Sequence, residues 1–226
     1  MAWAVPLASR EFDVRVSRIV LDRPPEVVAR LFDLLDGVEQ ARAARFRDAG
    51  DRNRFIVGRA VTRRMLAAAV NDDPKALRLQ VNPYGKPELA GDRRHFNFSR
   101  SGGTGLLVIG ETSLGIDIER ARPVVEKERI AEQVFGRHER DWMLRVTDPE
   151  RTARFLTIWT RKEALVKAAG RGLSEDLRCF DTVSDRHDPV VIPAWGHRWH
   201  ICNLRGGPGH FAALALRLGT GSRPVD

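Results

Sequence analysis

A short alternation of apolar and acidic residues, Gly115-Ile-Asp-Ile-Glu119, does most to limit how this chain can fold. Side chains along a β-strand point to opposite faces in turn, so the two carboxylates, Asp117 and Glu119, are predicted to share one face of a sheet. Such a pair repels itself unless cations or basic groups lie beside it. Because Mg²⁺ prefers oxygen ligands, this strand is a candidate metal site. The alternative is an exposed acidic strand edge close to arginines.

A second motif lies downstream, in the run Trp159-Thr-Arg-Lys-Glu-Ala-Leu-Val-Lys-Ala-Ala-Gly-Arg-Gly-Leu173. It predicts a helix that ends at glycines and carries Glu163 and Lys167 on one face, since residues four apart are neighbours on a helix. Taken alone, this pair is also typical of a solvent-exposed helical ion pair. Gly170 and Gly172, directly after the helix, favour a functional loop. With the acidic strand, the third carboxylate and the lysine favour phosphoryl-transfer chemistry over a binding module.

Three further segments each have a functional and a structural interpretation. The segment Ser99-Arg100-Ser101-Gly102-Gly103 ends a predicted strand, and is either a set of backbone N–H donors for a phosphate or a plain hairpin turn. Lys86 lies on a stiff loop between a glycine and a proline, and is otherwise a solvated lysine. The third segment holds His197, His200 and Cys202. Its pattern is that of a strand and no fourth ligand is evident, so we expect no zinc site there.

The periodicity of the chain predicts an α+β protein. The predicted helices cover 24–35, 38–46, 52–70, 125–134, 137–144 and 150–169, and the predicted strands cover 12–21, 95–99, 106–109, 114–119, 178–183, 190–192, 198–203 and 211–216. Strands and helices occur twice in the same order, which predicts two similar α+β lobes with pseudo-twofold symmetry. The predicted boundaries are 1–112 for the N-terminal lobe, 113–218 for the C-terminal lobe and 219–226 for a tail.

The composition says more about the binding partners of the protein than about its fold. The net charge is +8 over 226 residues, and the basic residues are mostly arginine. Arginine suits bidentate binding of phosphate, so the excess predicts an anionic partner, which is nucleic acid, a polyphosphate cofactor or an acidic protein. An arginine-rich proteome is the alternative reason. The sequence shows no membrane span and no signal-peptide pattern, and two cysteines make no disulfide framework. We therefore expect a cytoplasmic protein.

In combination, the motifs resemble those of the 4′-phosphopantetheinyl transferases of the Sfp type. That family carries a G-(I/V)-D-(I/V/L)-E strand and a W-(T/S)-x-K-E-A/S-x-x-K-x-x-G-x-G-L helix, and both occur here in register at the family's usual separation. Upstream, Tyr84-Gly-Lys-Pro87 is similar to its G-K-P loop, Phe96-Asn-Phe-Ser99 to its F-N-x-S strand, and 54–63 to the helix that precedes them. The resemblance covers about residues 42–173, and more loosely the strands after them.

The resemblance implies two lobes with coenzyme A between them. It implies transfer of the 4′-phosphopantetheine arm to a serine of acyl or peptidyl carrier protein domains, with release of adenosine 3′,5′-bisphosphate. Mg²⁺, or Mn²⁺ in its place, would be held by Asp117, Glu119 and Glu163. The catalytic residues would be Glu163, as the base for the serine proton, and Lys167, as a cation for the departing phosphate. The implied coenzyme A contacts are Arg42, Arg63, Lys86, Pro87, Ser99, Arg100 and Lys167, with the 3′-phosphate on Arg42 and Arg63.

The two-lobe length implies a monomer that serves polyketide or nonribosomal peptide synthesis. Two positions depart from the family pattern. Arg100 replaces a histidine and cannot act as a base near neutral pH, and Glu39 stands where a basic residue is usual, although Arg42 retains a second. The rival interpretations are a Mg²⁺-dependent nuclease, which would also use acidic residues and a lysine, and a noncatalytic nucleic-acid-binding domain, which would not explain the paired carboxylates. We therefore expect a transferase with no nucleic-acid or membrane partner.

Overall fold

The computed structural model describes residues 4–9, 13–172, 176–184 and 189–219. Its α-helices are α1 (Pro25–Phe32), α2 (Gly37–Ala44), α3 (Ala49–Val70), α4 (Lys127–Val134), α5 (Arg137–Leu144) and α6 (Glu150–Ala169). Its strands are β1 (Ala4–Ser9), β2 (Val14–Val20), β3 (Leu79–Val81), β4 (Pro87–Leu89), β5 (His95–Ser101), β6 (Thr104–Gly110), β7 (Leu114–Arg120), β8 (Val190–Ala194), β9 (His197–Leu204) and β10 (His210–Arg217). The predicted α+β class is confirmed.

Two antiparallel sheets form the centre of the molecule. The first has the strand order β1-β2-β6-β5 and the second the order β7-β10-β9-β8, while β3 and β4 form a separate hairpin. One cluster of buried side chains joins Val16 and Leu106 of the first sheet to Ile116 and Leu214 of the second. The sheets therefore share a core. The division into lobes at 112/113, which falls between β6 and β7, stays a prediction, as does the pseudo-twofold symmetry.

Helix α6 lies directly on strand β7, and a glycine allows this approach. A Cβ atom on Gly115 would lie 2.2 Å from the Ala164 carbonyl oxygen and 2.3 Å from the Ala168 nitrogen. A side chain at this position would therefore push the helix off the strand. The helix ends at Gly170, which has a φ of 68° and donates its N–H to the Val166 carbonyl. The last turns of α6 are thereby held against the acidic strand.

Helices α2 and α3 begin at aspartates that cap them. Asp36 accepts a hydrogen bond from the Glu39 N–H at 2.9 Å, and the Glu39 side chain accepts one from the Asp36 N–H at 3.2 Å, which completes a capping box. Asp48 caps α3 in the same position. In the middle of α3, a Cβ atom on Gly58 would lie 2.8 Å from the Phe98 ring of β5. Helix α3 therefore packs closely on the first sheet.

The strand predicted over 178–183 is wrong. The chain there forms one turn of 3₁₀-helix, Leu177–Cys179, capped by Asp176, and then an irregular segment. Strands β3 and β4 were not predicted because three residues are too few for an alternation to stand out, and β1 contains a proline, which is unusual inside a strand. Of the predicted tail, 220–226 lie outside the described residues. No helix in the described ranges is both long and apolar enough to cross a membrane.

Candidate active site

The two carboxylates of β7 face two serines of β5. Ser99 donates its hydroxyl to Asp117 Oδ1 at 2.8 Å, and Ser101 donates to Glu119 Oε2 at 3.1 Å. The strands belong to different sheets, and they are also joined where the Ile116 N–H donates to the Asn97 side chain at 2.9 Å. Because both carboxylates reach the same neighbouring strand, they lie on one face of β7, as the alternation predicted.

Lys167 of α6 completes this polar group. Its Nζ lies 2.5 Å from Asp117 Oδ1, 3.3 Å from Ser99 Oγ and 3.9 Å from Glu163 Oε2. The alternative of a solvent-exposed ion pair between Glu163 and Lys167 is wrong, because the closest partner of Lys167 is on β7 and the Glu163 side chain is only 15% exposed. Side chains from β5, β7 and α6 thus meet at one place, although they are distant in sequence.

Negative charge is in excess at this place. Asp117 is 3% exposed, and its Oδ2 is buried without a hydrogen-bond partner among the described residues. Burial raises the pKa of Glu163; Lys167 opposes this shift, while Asp117 and Glu119 add to it. Burial also raises the pKa of Glu119, with Asp117 as the second cause. Crowded, buried carboxylates of this kind are stabilised by a cation.

A divalent cation fits this donor set. Asp117, Glu119 and Glu163 supply only oxygen donors, which suits Mg²⁺ or Mn²⁺, and Asp117 Oδ2 has no competing protein partner in the described structure. Within those same ranges, no group of three or more His, Cys, Asp or Glu side chains has the geometry of a metal site. The histidine and cysteine side chains of β9 therefore form no such group. The fit to Mg²⁺ therefore rests on the chemistry of the donors and on the unpartnered oxygen.

A cleft of about 290 Å³ opens beside Ser99, between α2, α3 and β5. Its lining includes Arg42, Arg59, Pro87, Phe96, Ser99 and Arg100. Arg100 extends from β5 to the start of α3, where its Nη1 lies 3.2 Å from Asp51 Oδ1, and 31% of its side chain is exposed. The structure therefore brings four of the residues singled out in the sequence, Arg42, Pro87, Ser99 and Arg100, around one cavity.

Arg63, which the resemblance implies as a contact of the 3′-phosphate, does not line this cleft. Its side chain is 0% exposed. Nε lies 2.6 Å from Glu39 Oε2, one terminal nitrogen bonds the Asp36 carboxylate, and the other donates to the carbonyl oxygens of Pro74 and Leu77. The guanidinium thus joins α2, α3 and the loop after α3, and it is enclosed by protein groups that keep a ligand phosphate away.

Lys86 does not line the cleft either, and it is not a solvated lysine. Its Nζ donates to the carbonyl oxygens of Leu114 at 3.0 Å and Ala168 at 3.3 Å, and burial lowers its pKa to about 8. Asn82, on the same loop, donates its side-chain amide to the Gly170 carbonyl at 3.1 Å. The loop between β3 and β4 therefore holds the C-terminal end of α6.

One buried ion pair beside the motif glutamate was not predicted. The Nζ of Lys162 lies 2.8 Å from Glu139 Oε2 and donates to the carbonyl oxygens of Leu177 and Phe180. Both side chains are almost fully buried. The periodicity of a helix does not show whether another element buries a lysine on this face. The only indication of a special role for Lys162 in the sequence was its position inside the motif. The pair fixes α6 against α5 and the 3₁₀ turn.

Comparisons with known proteins point to one family. Residues 113–212, which include β7 and α6, match the family described as the 4′-phosphopantetheinyl transferase superfamily. The chain is 32% identical over 191 residues to the 4′-phosphopantetheinyl transferase HetI of Nostoc sp., a match that covers 81% of this chain and 80% of that protein. It is 26% identical over 207 residues to the 4′-phosphopantetheinyl transferase Sfp of Bacillus subtilis, with 84% and 92% covered.

Proposed function

This chain belongs to the 4′-phosphopantetheinyl transferase superfamily, and from that premise we propose how its residues move the 4′-phosphopantetheine arm of coenzyme A onto a carrier-protein serine. The observation that carries the proposal is the meeting of Ser99, Asp117, Glu163 and Lys167 beside an arginine-lined cleft. Both relatives named above are transferases, which favours this activity over the Mg²⁺-dependent nuclease and the nucleic-acid-binding domain.

The metal ligands that we propose are Asp117, Glu119 and Glu163, with Mg²⁺ or Mn²⁺ as the ion. When bound, this ion would offset negative charge on the pyrophosphate of coenzyme A. The unpartnered Oδ2 of Asp117 is the strongest support for this assignment.

The cleft would take coenzyme A. We propose that Ser99 and Arg100, at the end next to Asp117, contact the pyrophosphate with Pro87 alongside, and that Arg42 contacts the 3′-phosphate. Arg63 does not contact a phosphate, because protein groups enclose it. Lys86 would act indirectly, by holding the helix that carries the two catalytic residues.

The transfer forms one P–O bond and breaks another. The serine oxygen of the carrier attacks the phosphorus that bears the pantetheine arm, the bond from this phosphorus to the bridging oxygen breaks, and its electron pair leaves with adenosine 3′,5′-bisphosphate. Glu163 would accept the serine proton, directly or through a water molecule, and burial makes it a stronger base than an exposed carboxylate. Lys167 would supply positive charge to the departing phosphate.

The acceptors that we propose are acyl or peptidyl carrier domains of polyketide or nonribosomal peptide synthesis, modified by a monomeric enzyme in the cytoplasm. The net charge of +8 favours acidic partners. The two cysteines are both free, which suits a reducing compartment.

Mass spectrometry of a carrier protein tests the activity directly. Incubation with this enzyme, coenzyme A and Mg²⁺ should add the mass of one 4′-phosphopantetheine group to an apo carrier. A carrier whose acceptor serine is replaced by alanine should not change, and EDTA should stop the reaction until Mg²⁺ is restored. An unmodified carrier, together with cleavage of added nucleic acid, would favour the nuclease instead.

Arg100 should behave as a cation that does not titrate. A guanidinium stays charged, so the native pH profile should show no ionisation from this position, whereas Arg100→His should add one between about pH 6 and 7. The variant should be more active on the acidic side, where its imidazole is charged. Arg100→Lys should retain substantial activity and Arg100→Ala should lose about 10-fold or more, the size of a charge-assisted contact. Rates of carrier modification across pH measure these effects.

Glu163→Gln is the companion variant for that experiment. If Glu163 is the base, its loss should abolish transfer at every pH, with either residue at position 100. Near-native transfer by Glu163→Gln with Mg²⁺ bound would show that Glu163 is neither the base nor a required ligand.

A further inference from the structure

The end of α6 depends on a distant part of the chain for its backbone hydrogen bonds. The last carbonyl groups of a helix have no partner within it, and the Val166 carbonyl is satisfied locally, by the N–H of Gly170. The carbonyl oxygens of Ala168 and Gly170 instead accept hydrogen bonds from the side chains of Lys86 and Asn82, at 3.3 and 3.1 Å. These donors lie 82 and 88 residues before their acceptors. The loop between β3 and β4 therefore caps α6.

Asn82 both shapes this loop and joins it to the helix. Its side-chain oxygen accepts hydrogen bonds from the N–H groups of Tyr84 at 2.9 Å and Lys86 at 3.0 Å. Its side-chain nitrogen donates to the Gly170 carbonyl. The two ends of one amide thus have different tasks, since the oxygen holds the turn and the nitrogen holds the helix. We call Asn82 and Lys86 the α6 clip.

Lys86 extends the clip to the acidic strand. Besides the carbonyl of α6, its Nζ reaches the Leu114 carbonyl oxygen, at the start of β7, at 3.0 Å. A pKa of about 8 leaves most of this lysine charged at neutral pH, and a positive charge is favourable at the C-terminal end of a helix. One ammonium group therefore connects the strand that carries Asp117 to the helix that carries Lys167, and these two side chains meet at 2.5 Å.

We propose that Asn82 is a positioning residue for the transfer reaction, which acts with Lys86 to hold Lys167 beside Asp117. This inference rests on the proposed function, and it gives the carbonyl of Gly170 a role as the attachment point of the clip. Among the described residues that line the cleft, Pro87 comes from this loop but Asn82 does not. Asn82 should therefore affect the rate of the chemical step and not the binding of coenzyme A.

Asn82→Asp separates the bond to the helix from the shape of the loop. The carboxylate keeps an acceptor for the two loop N–H groups, but it has no donor for the Gly170 carbonyl and places negative charge at the negative end of α6. We expect kcat to fall by about 10-fold or more, because a displacement of about 1 Å at a reacting group can cost about 100-fold. KM for coenzyme A should stay near its native value. Steady-state rates of carrier modification measure both.

Asn53→Asp is the matched control, because it makes the same chemical change on α3, in a different groove between α1, α2 and α3. It should leave kcat and KM unchanged. An equal fall of kcat in Asn53→Asp, or a raised KM with native kcat in Asn82→Asp, overturns the positioning role. So does a lower melting temperature of Asn82→Asp with native kcat, since Asn82 would then serve stability alone.

A double variant tests whether the two residues act as one clip. Lys86→Met alone should also lower kcat, because it removes the only bond that the clip makes to Leu114. The double variant Asn82→Asp/Lys86→Met should be about as slow as the slower single variant, since residues that act as a unit have non-additive effects. Losses that multiply would show that Asn82 and Lys86 act separately, and would overturn the clip.

Amide hydrogen exchange tests the clip without any transfer. In Asn82→Asp, exchange should be faster at the Gly170 N–H, which bonds the Val166 carbonyl, and should remain native in the first turns of α6. Native exchange at Gly170 overturns the clip, whatever the kinetics. Absence of carrier modification by the native protein overturns the proposed function, and the exchange rates still decide whether Asn82 holds the helix.

Discussion

The Asp117→Asn variant should keep its fold and lose transfer by more than about 100-fold. The amide keeps an acceptor for Ser99, which donates to Oδ1 at 2.8 Å, but the variant lacks the negative charge proposed to hold the divalent cation. Replacing a residue that only orients a metal ligand already costs about 10–100-fold, so losing a ligand should cost more. Initial rates of carrier modification at saturating Mg²⁺ measure the effect.

Mn²⁺ binding gives a second readout of Asp117 that does not depend on turnover. Electron paramagnetic resonance should show weaker Mn²⁺ binding by Asp117→Asn in the absence of a carrier. Asp141→Asn is the matched control, because Asp141 is an exposed aspartate of α5 whose ion pair with Arg137 spans 3.9 Å. Full turnover by Asp117→Asn would contradict the assignment of this carboxylate to the metal.

Arg63→Met should lower the free energy of unfolding by about 3–5 kcal/mol, the usual effect of removing one partner of a buried ion pair. The variant leaves Glu39, which is only 9% exposed, without its closest counter-ion. It also leaves the carbonyl oxygens of Pro74 and Leu77 without the donor that they share. Since a domain is stable by only about 5–15 kcal/mol, the loss should be plain in urea denaturation.

Ligand binding separates this structural role of Arg63 from a phosphate contact. The folded fraction of Arg63→Met should still bind coenzyme A more tightly than dephospho-coenzyme A, because Arg63 does not reach the cleft. Arg52→Met, at an exposed position of the same helix, should change stability by no more than about 0.5 kcal/mol. Native stability with a selective loss of coenzyme A would return Arg63 to the substrate site.

Periodicity was sufficient to predict those parts of the site that lie along one element. Alternation placed Asp117 and Glu119 on one face of β7, and a spacing of four placed Glu163 and Lys167 on one face of α6. Their meeting depends on how closely the helix approaches the strand at Gly115. The order of the motifs and their resemblance to a known family predicted that these residues meet. Neither the alternation along β7 nor the spacing along α6 predicts this by itself.

Arg63 shows where such reasoning stops. It lies four residues after Arg59, on the same side of α3, yet Arg63 is buried and Arg59 faces the cleft. The difference arises because the capped start of α2 and the loop with Pro74 and Leu77 cover only Arg63. Burial of this kind depends on where a second element packs against the helix, and the periodicity of one helix does not predict that position.

The environment of Lys86 could not be predicted from the sequence for a related reason. A lysine in a turn-rich loop is expected in water, but the ammonium of Lys86 finds two carbonyl oxygens, one at the start of β7 and one at the end of α6. These acceptors are 28 and 82 residues away along the chain. Local composition therefore could not predict the role of this side chain.

The shared core of the two sheets has a consequence for when the protein becomes active. Ser99 lies 18 residues from Asp117 and 68 from Lys167, so long loops must close before these groups can meet, and such contacts are among the slower ones to form. β7, which carries two of the carboxylates, is held in its sheet by β10, which is the last strand in the described ranges. A growing polypeptide should therefore remain inert until β10 has been synthesised, has left the ribosome and has paired with β7.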